Sequence, residues 1–135
     1  MHILEVHDLH RQFVVHPGCV VIPTVLSLGL LEGLSGREML EAVLKGFKAC
    51  TRLGNSVGPA HYKIWHNTAN CGTFGVAYAT RTILRLSKPQ LRDALGNDGT
   101  QSSGLWEFLE SRTMSKYLHA GCAGQSGLLA ADLAR

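Results

Sequence analysis

Ser35-Gly-Arg-Glu-Met-Leu-Glu-Ala-Val-Leu-Lys-Gly-Phe-Lys-Ala-Cys50 is the stretch that decides the fold class. Ser35 to Glu38 has the form of a capping box. In it a serine hydroxyl accepts from the N–H three residues on, and the glutamate reaches back to the serine N–H. Met39, Leu40, Val43, Leu44, Phe47 and Cys50 then recur at the i, i+3, i+4, i+7 spacing of one helical face. Glu41 and Lys45 stand four apart on the wet face, where opposite charges pair. The pattern predicts an amphipathic helix running to about Leu53, with Gly54 just past its C-terminal end.

Upstream, Cys19 to Leu34 is apolar nearly all round, which predicts a helix in the middle of a bundle. Pro23 falls in its first turn or two, where proline is tolerated. The segment before it, 1–18, is irregular, rich in histidine and closed by the turn pair Pro17-Gly18. Downstream, a loop is expected from Asn55 to about Asn67. A third helix, Thr68 to Leu86, carries Gly72, Gly75, Ala77 and Ala79, small residues that admit a close neighbour. Ser87, with Gln90 three residues on, caps a short helix to Leu95. For 96–104 the sequence leaves helix and loop both open. A short amphipathic turn follows at Leu105 to Leu109, then a last helix from about Ala120 to Ala134. No segment alternates with period two, and no repeat is visible. The expected fold is all-α, one domain over 1–135, with helices packed as antiparallel neighbours.

The chain has 135 residues, 45% hydrophobic and 17% charged. So few charges cannot easily cover the surface of a chain this short, so a homodimer, a higher oligomer or covering segments are expected. The net charge of +3 suits a small anion and argues against nucleic acid. The run from Cys19 to Leu34 is too short and too interrupted to span a membrane, and 1–16 does not resemble a signal peptide. Cys19, Cys50, Cys71 and Cys122 include no CxxC pair, so they read as reduced, buried, small apolar residues of a cytoplasmic protein.

Chemistry has three candidate locations. They are His7-Asp8-Leu-His10 leading to His16, His66-Asn67-Thr68, and Lys116-Tyr-Leu-His119. Each lies at or near an expected helix N-terminus, where unpaired N–H groups and the helix dipole favour an anion. The bland alternatives are a solvated lysine at Lys116 and a loop-orienting role for His119. A metal site from His2, His7 and His10 is weighed against a solvated terminus, and the terminus is the preferred reading. Gly72, Gly75, Gly121, Gly124 and Gly127 lack the strand-turn-helix context of a phosphate loop and read as packing residues. Trp106 and Phe108 read as core or interface.

In these same places a family resemblance appears. His16-Pro-Gly-Cys-Val-Val-Ile-Pro resembles the HPG-x-V-x-x-P stretch of MmgE/PrpD proteins. Trp65-His66-Asn-Thr-Ala-Asn-Cys-Gly-Thr-Phe-Gly-Val-Ala is similar to their FH-x-T-A-x-x-G-x-F-G-A-A motif. Lys116-Tyr-Leu-His119-Ala-Gly121 resembles their K-x-x-H-x-G motif. The order and spacing of the three agree across nearly the whole chain. The resemblance implies part of a helical domain from an enzyme that dehydrates, decarboxylates or epimerises small polycarboxylates without cofactor or metal, usually as a dimer. It implies His66, Lys116 and His16 as catalytic residues, and Asp8, His10, Thr68 and His119 as substrate-binding ones.

Departures from the pattern are His7 in place of an acidic residue, Lys48 for a glutamate, Cys122 for an arginine, and Arg81 and Arg85 where small residues are usual. Enzymes of the family are several-fold longer and carry a lid domain. The expectation is therefore a fragment or a truncated remnant, incomplete as an enzyme alone. The alternative is a non-catalytic, self-associating helical protein. Either way, His16, His66 and Lys116 are expected to come together.

Overall fold

The computed structural model describes residues 4–135. The described residues form six helices: α1 Gly18–Leu31, α2 Gly36–Tyr62, α3 Asn67–Ile83, α4 Lys88–Gln101, α5 Glu107–Ser111 and α6 Ser115–Asp132. Among them there is no strand, only the isolated bridges His10–Val15 and Trp65–Leu105. The all-α expectation holds. Both capping boxes form: Ser35 N donates to Glu38 Oε2 at 2.9 Å, and Ser87 N donates to Gln90 Oε1 at 3.0 Å.

From α1 to α4, consecutive helices run antiparallel, as their short connections require. A Cβ on Gly29 of α1 would meet Met39 of α2, while Val21 meets Gly46. Gly46 lies against Gly75 and Ala79, and Cys50 against Gly75, which sets α2 antiparallel to α3. Thr73 bonds Asp98 and Asn70 bonds Ser102, which sets α3 antiparallel to α4. Alternate helices are then parallel. His16, Val20 and Val21 pair with Thr68, Gly72 and Gly75, so α1 and α3 share a direction. His66 and Thr73 pair with His119 and Ala123, so α6 shares it too. The parallel trio α1, α3 and α6 gathers three N-termini at one end of the molecule.

The centre of the bundle is α3, not α1. It packs against α1, α2, α4 and α6 and buries residues all round. Its small residues permit this: Gly75 comes within 2.9 Å of where a Cβ on Gly46 would sit. The apolar α1 instead leaves Leu26, Leu30 and Leu31 50%, 72% and 83% exposed. A uniformly apolar helix need not be central; the helix that can be approached on every side takes that place.

Helix ends depart from expectation where tertiary contacts decide them. Gly54 does not end α2. It is helical and buried, and a Cβ there would lie 3.1 Å from Phe13 Cβ. The break comes at Gly58, with φ of 70°, just before Pro59, so the expected loop from Asn55 is mostly helix. Likewise α4 continues to Gln101, because Asp98 and Asn97 are tied to α3 and α6. α6 starts at Ser115, five residues before the expected start, which puts Lys116 and His119 inside its first turns.

Cys19, Cys50 and Cys71 are buried, as expected, and burial pushes the thiols of Cys19 and Cys71 up to about 12, where they are unreactive. Cys122 is only half-buried.

Candidate functional site

The N-terminal ends of α1, α3 and α6 hold the three sequence motifs. His66 is the N-cap residue of α3 and is 2% exposed. Its N–H donates to Gly104 O at 2.7 Å, and Trp106 N–H returns a bond to Ile64 O at 3.0 Å. This short pairing lays residues 104–106 beside 64–66. Gly104 has a φ of 107° and touches Ala69 and His119, so a side chain would fit neither the backbone nor the space. The ring of Trp106 then sits 4.7 Å from that of His66, and Phe108 lies 6.4 Å from it. Trp106 is anchored by donating its indole N–H to Tyr62 O at 2.6 Å.

Against His66 stands His119, with 3.1 Å between their Nδ1 atoms. One Nδ1 must carry a hydrogen and the other must not, so the contact requires at least one neutral ring. Burial lowers the His119 pKa, which favours the neutral form.

His16 joins the same end by a different route. Its N–H donates to the buried Thr68 Oγ1 at 3.1 Å, two residues from His66. Its ring is held by the carbonyl of Asp8, 2.6 Å from Nδ1, and by His7, whose ring centroid is 3.9 Å away. Burial first, then the neighbouring His16, lower the pKa of His7. Asp8 places its carboxylate on Gly18 N–H at 3.0 and 3.1 Å, filling the anion position at the start of α1.

Lys116 is one turn before His119 on α6 and forms an ion pair with Glu5, with Nζ 2.8 and 2.9 Å from its two oxygens. Its charge reaches both His7 and Tyr62, which places it on the same face. His10 stacks on Phe13 at 4.5 Å and bridges to Val15, neighbours other than the His16 ring's partners Asp8 and His7. His2 lies outside the described residues. Among those described, no three His, Cys, Asp or Glu side chains converge to hold a metal.

The arrangement therefore brings His16, Thr68, His66, His119 and Lys116 to one end, spends Asp8 on capping α1, and sets His10 apart. Glu5 and Tyr62 were missed by the sequence reading; Trp106 and Phe108 were read as core or interface, and Phe108 is buried, while both rings also lie beside His66. The Trp65–Leu105 pairing that delivers the two aromatics has no local sequence signal. Glu5 lies 111 residues from its partner. Chemically, the cluster offers an imidazole pair of one buried and one half-buried ring, a primary ammonium and helix N–H groups, a set matched to a carboxylate-bearing molecule and to proton transfer.

Among the described residues no helix is long and apolar enough to cross a membrane. The chain is 29% identical over 137 residues to a cis-aconitate decarboxylase of Aspergillus terreus, a match covering 96% of this chain and 28% of that protein. It is 27% identical over 141 residues to a cis-aconitate decarboxylase-like protein of Aspergillus oryzae, covering 98% of this chain and 29% of that one. The chain thus spans less than a third of the length of these relatives. The model of the MmgE/PrpD N-terminal domain matches residues 1–135, and the chain belongs to the MmgE/PrpD family.

Proposed function

We propose that this end of the bundle is one wall of a site for a small polycarboxylate, serving the cofactor-independent lyase or isomerase chemistry of the family. The observation that carries the reading is the parallel course of α1, α3 and α6. It puts His16, His66 and the Lys116/His119 pair at one pole, although they are 100 residues apart along the chain. In this reading the substrate carboxylate takes the place of Glu5 on Lys116. His66, held by His119, moves a proton on the carbon beside that carboxylate, and Lys116 stabilises the charge that develops. Thr68 and the backbone of His16 fix the floor. The cis-aconitate decarboxylase relative favours decarboxylation within this class.

Trp106 lies against His66 and so reports on the site by its fluorescence. Titration with cis-aconitate is expected to give a saturable change, weakened roughly tenfold or more in Lys116→Ala and in His66→Ala. Equal affinity in all three proteins would overturn the reading. Turnover is a separate matter. Lys116 is already neutralised by Glu5 and partly solvated, and the groups that exclude water and complete the charge are proposed to come from outside these residues. The 135 residues alone are then expected to turn over well below roughly one per second.

A second reading, a helical protein that acts by self-association, is favoured by one observation. Leu30 and Leu31 of α1 and Leu40 and Leu44 of α2 are 66–83% exposed. Sedimentation at micromolar concentration is expected to show a dimer or larger species. Self-association together with an unresponsive Trp106 would favour this reading over the first.

A further inference from the structure

The charges of this chain are segregated. From Ala42 to Arg92 there is no aspartate or glutamate, while Lys45, Lys48, Arg52, Lys63, Arg81, Arg85, Lys88 and Arg92 all fall there. The remaining residues hold all ten acids and five of the thirteen cations. A net charge of +3 conceals this division.

Within the basic stretch lies a cavity of about 520 Å³ between α2 and α3, with Leu95 of α4 on its edge. The size falls in the range of roughly 300–1,000 Å³ usual for small-molecule sites. Its lining follows from helix periodicity. On α2, Lys45, Lys48 and Arg52 recur at i, i+3 and i+7, one face of a helix. On α3, Phe74, Tyr78 and Arg81 recur at i, i+4 and i+7. The two helices approach closely at Gly46 and Gly75, so the rows face across a narrow groove, with Phe74, Tyr78 and Arg81 half-buried in it and Lys48 and Arg52 exposed along it.

Those cations have little to neutralise them. Lys45 pairs with Glu41. Lys48, Arg52 and Arg81 have no carboxylate partner among the described residues, and the buried Nε of Arg81 has no acceptor. A guanidinium nitrogen held out of water with nothing to bond is costly, and an anion in the groove would relieve it. The place is distinct from the histidine cluster. Arg81 is fifteen residues along α3 from His66, about 22 Å at helical rise.

We propose that this groove binds a planar aromatic anion, its ring on Phe74 and Tyr78 and its phosphate or carboxylate on Lys48, Arg52 and Arg81. Two arginines in one groove match the oxygens of such a group in bidentate fashion. The flat, half-buried rings of Phe74 and Tyr78 favour a stacked body over a bare ion.

The test titrates the full chain with 1-naphthyl phosphate, 1-naphthoate, 1-naphthol and inorganic phosphate, read by backbone amide shifts. Saturable binding of at least one naphthyl anion, with shifts confined to 45–53 and 74–81, is expected. Naphthol and inorganic phosphate should bind roughly tenfold more weakly or worse, and Arg52→Gln and Lys48→Gln should each weaken the anion roughly tenfold. Both variants are at exposed positions, so folding is not at stake. The ranking of phosphate against carboxylate names the preferred headgroup. Naphthol binding as well as the anions, shifts centred on 66 and 116–119, affinity unchanged in the variants, or no saturation would each overturn the proposal.

Discussion

His66 and His119 face each other Nδ1 to Nδ1 at 3.1 Å, across the N-terminal ends of two parallel helices and 53 residues apart in sequence. Two imidazoles so placed share one hydrogen. The pair therefore couples the tautomers of the two rings and positions His66 against Trp106. His119→Ala leaves a nearly buried nitrogen of His66 without this partner and is expected to cost about 1–3 kcal/mol in denaturant unfolding. A change below a few tenths would mean that the contact holds nothing.

Glu5 occupies the ammonium of Lys116. If that ammonium is the anchor for a substrate carboxylate, Glu5 competes with the substrate. Glu5→Gln is expected to raise the affinity for cis-aconitate several-fold, an effect that shrinks as salt is added. Weaker binding in Glu5→Gln would instead make Glu5 part of the binding surface.

Asp98 is fully buried, and burial pushes its pKa up to about 7 against the pull of its bond with Thr73. Thr73 has one hydroxyl hydrogen and two oxygen neighbours, Asp98 Oδ1 at 2.9 Å and Ala123 O at 3.1 Å. A protonated Asp98 satisfies both: it donates to Thr73, which donates to Ala123 O. Around it α3 presents Asn70, Thr73 and Phe74, and α6 presents Ala123 and Ala130, none of them titratable. No charged residue of α4 contributes to the shift, which comes from burial and the Thr73 bond alone. The folded state thus holds a proton that the unfolded chain releases near 3.8. Stability from this group is complete below that pH and is lost as pH rises to about 7. Asp98→Asn is expected to remove this decline, as measured by thermal unfolding between pH 5 and 8. An unchanged slope would contradict the protonated form.

His119 acts in the opposite sense. The pKa of His119 is lowered from 6.5, so the folded state resists a proton that the unfolded chain accepts, and stability falls as pH drops below that value. In the Asp98→Asn background, where the aspartate no longer offsets it, a drop in stability on acidification from neutrality is expected. A flat profile there would show that His119 titrates as it does in water.

Close packing at the core is equally testable. A Cβ at Gly75 would lie 2.8 Å from Cys50 Cβ and 2.9 Å from Gly46 O, and neither can swing away. Gly75→Ala is expected to destabilise by about 1–3 kcal/mol, whereas Gly121→Ala, with nothing within 4 Å, is expected to be neutral or slightly stabilising.

Much of this could be read in the sequence, for identifiable reasons. Ser35/Glu38 and Ser87/Gln90 are local devices, and local devices survive folding. The three histidine and lysine motifs stand at the starts of α1, α3 and α6. Alternation from α1 to α4 gives α1 and α3 a common pole, and α6 joins them because it packs antiparallel on α4, with only the five-residue α5 between them. What could not be read were contacts between distant residues. Gly54 looks like a helix end until Phe13 is seen against it. Gly96 and Gly99 leave helix and loop both open until Asp98 is seen anchored to Thr73. The leucines of α1 promised a central helix, but centrality belongs to α3, whose glycines admit neighbours on all sides. Glu5 gives no sign of its pairing with Lys116.

The most direct measurement of the central claim follows the imidazole nitrogens of His66 and His119 by NMR while cis-aconitate is added. Saturable shifts are expected at both rings, abolished in Lys116→Ala and absent from His61 and His10. Imidazole signals of His66 and His119 that stay fixed up to about 10 mM ligand, a weak-binding limit, or that move equally in Lys116→Ala, would contradict the claim.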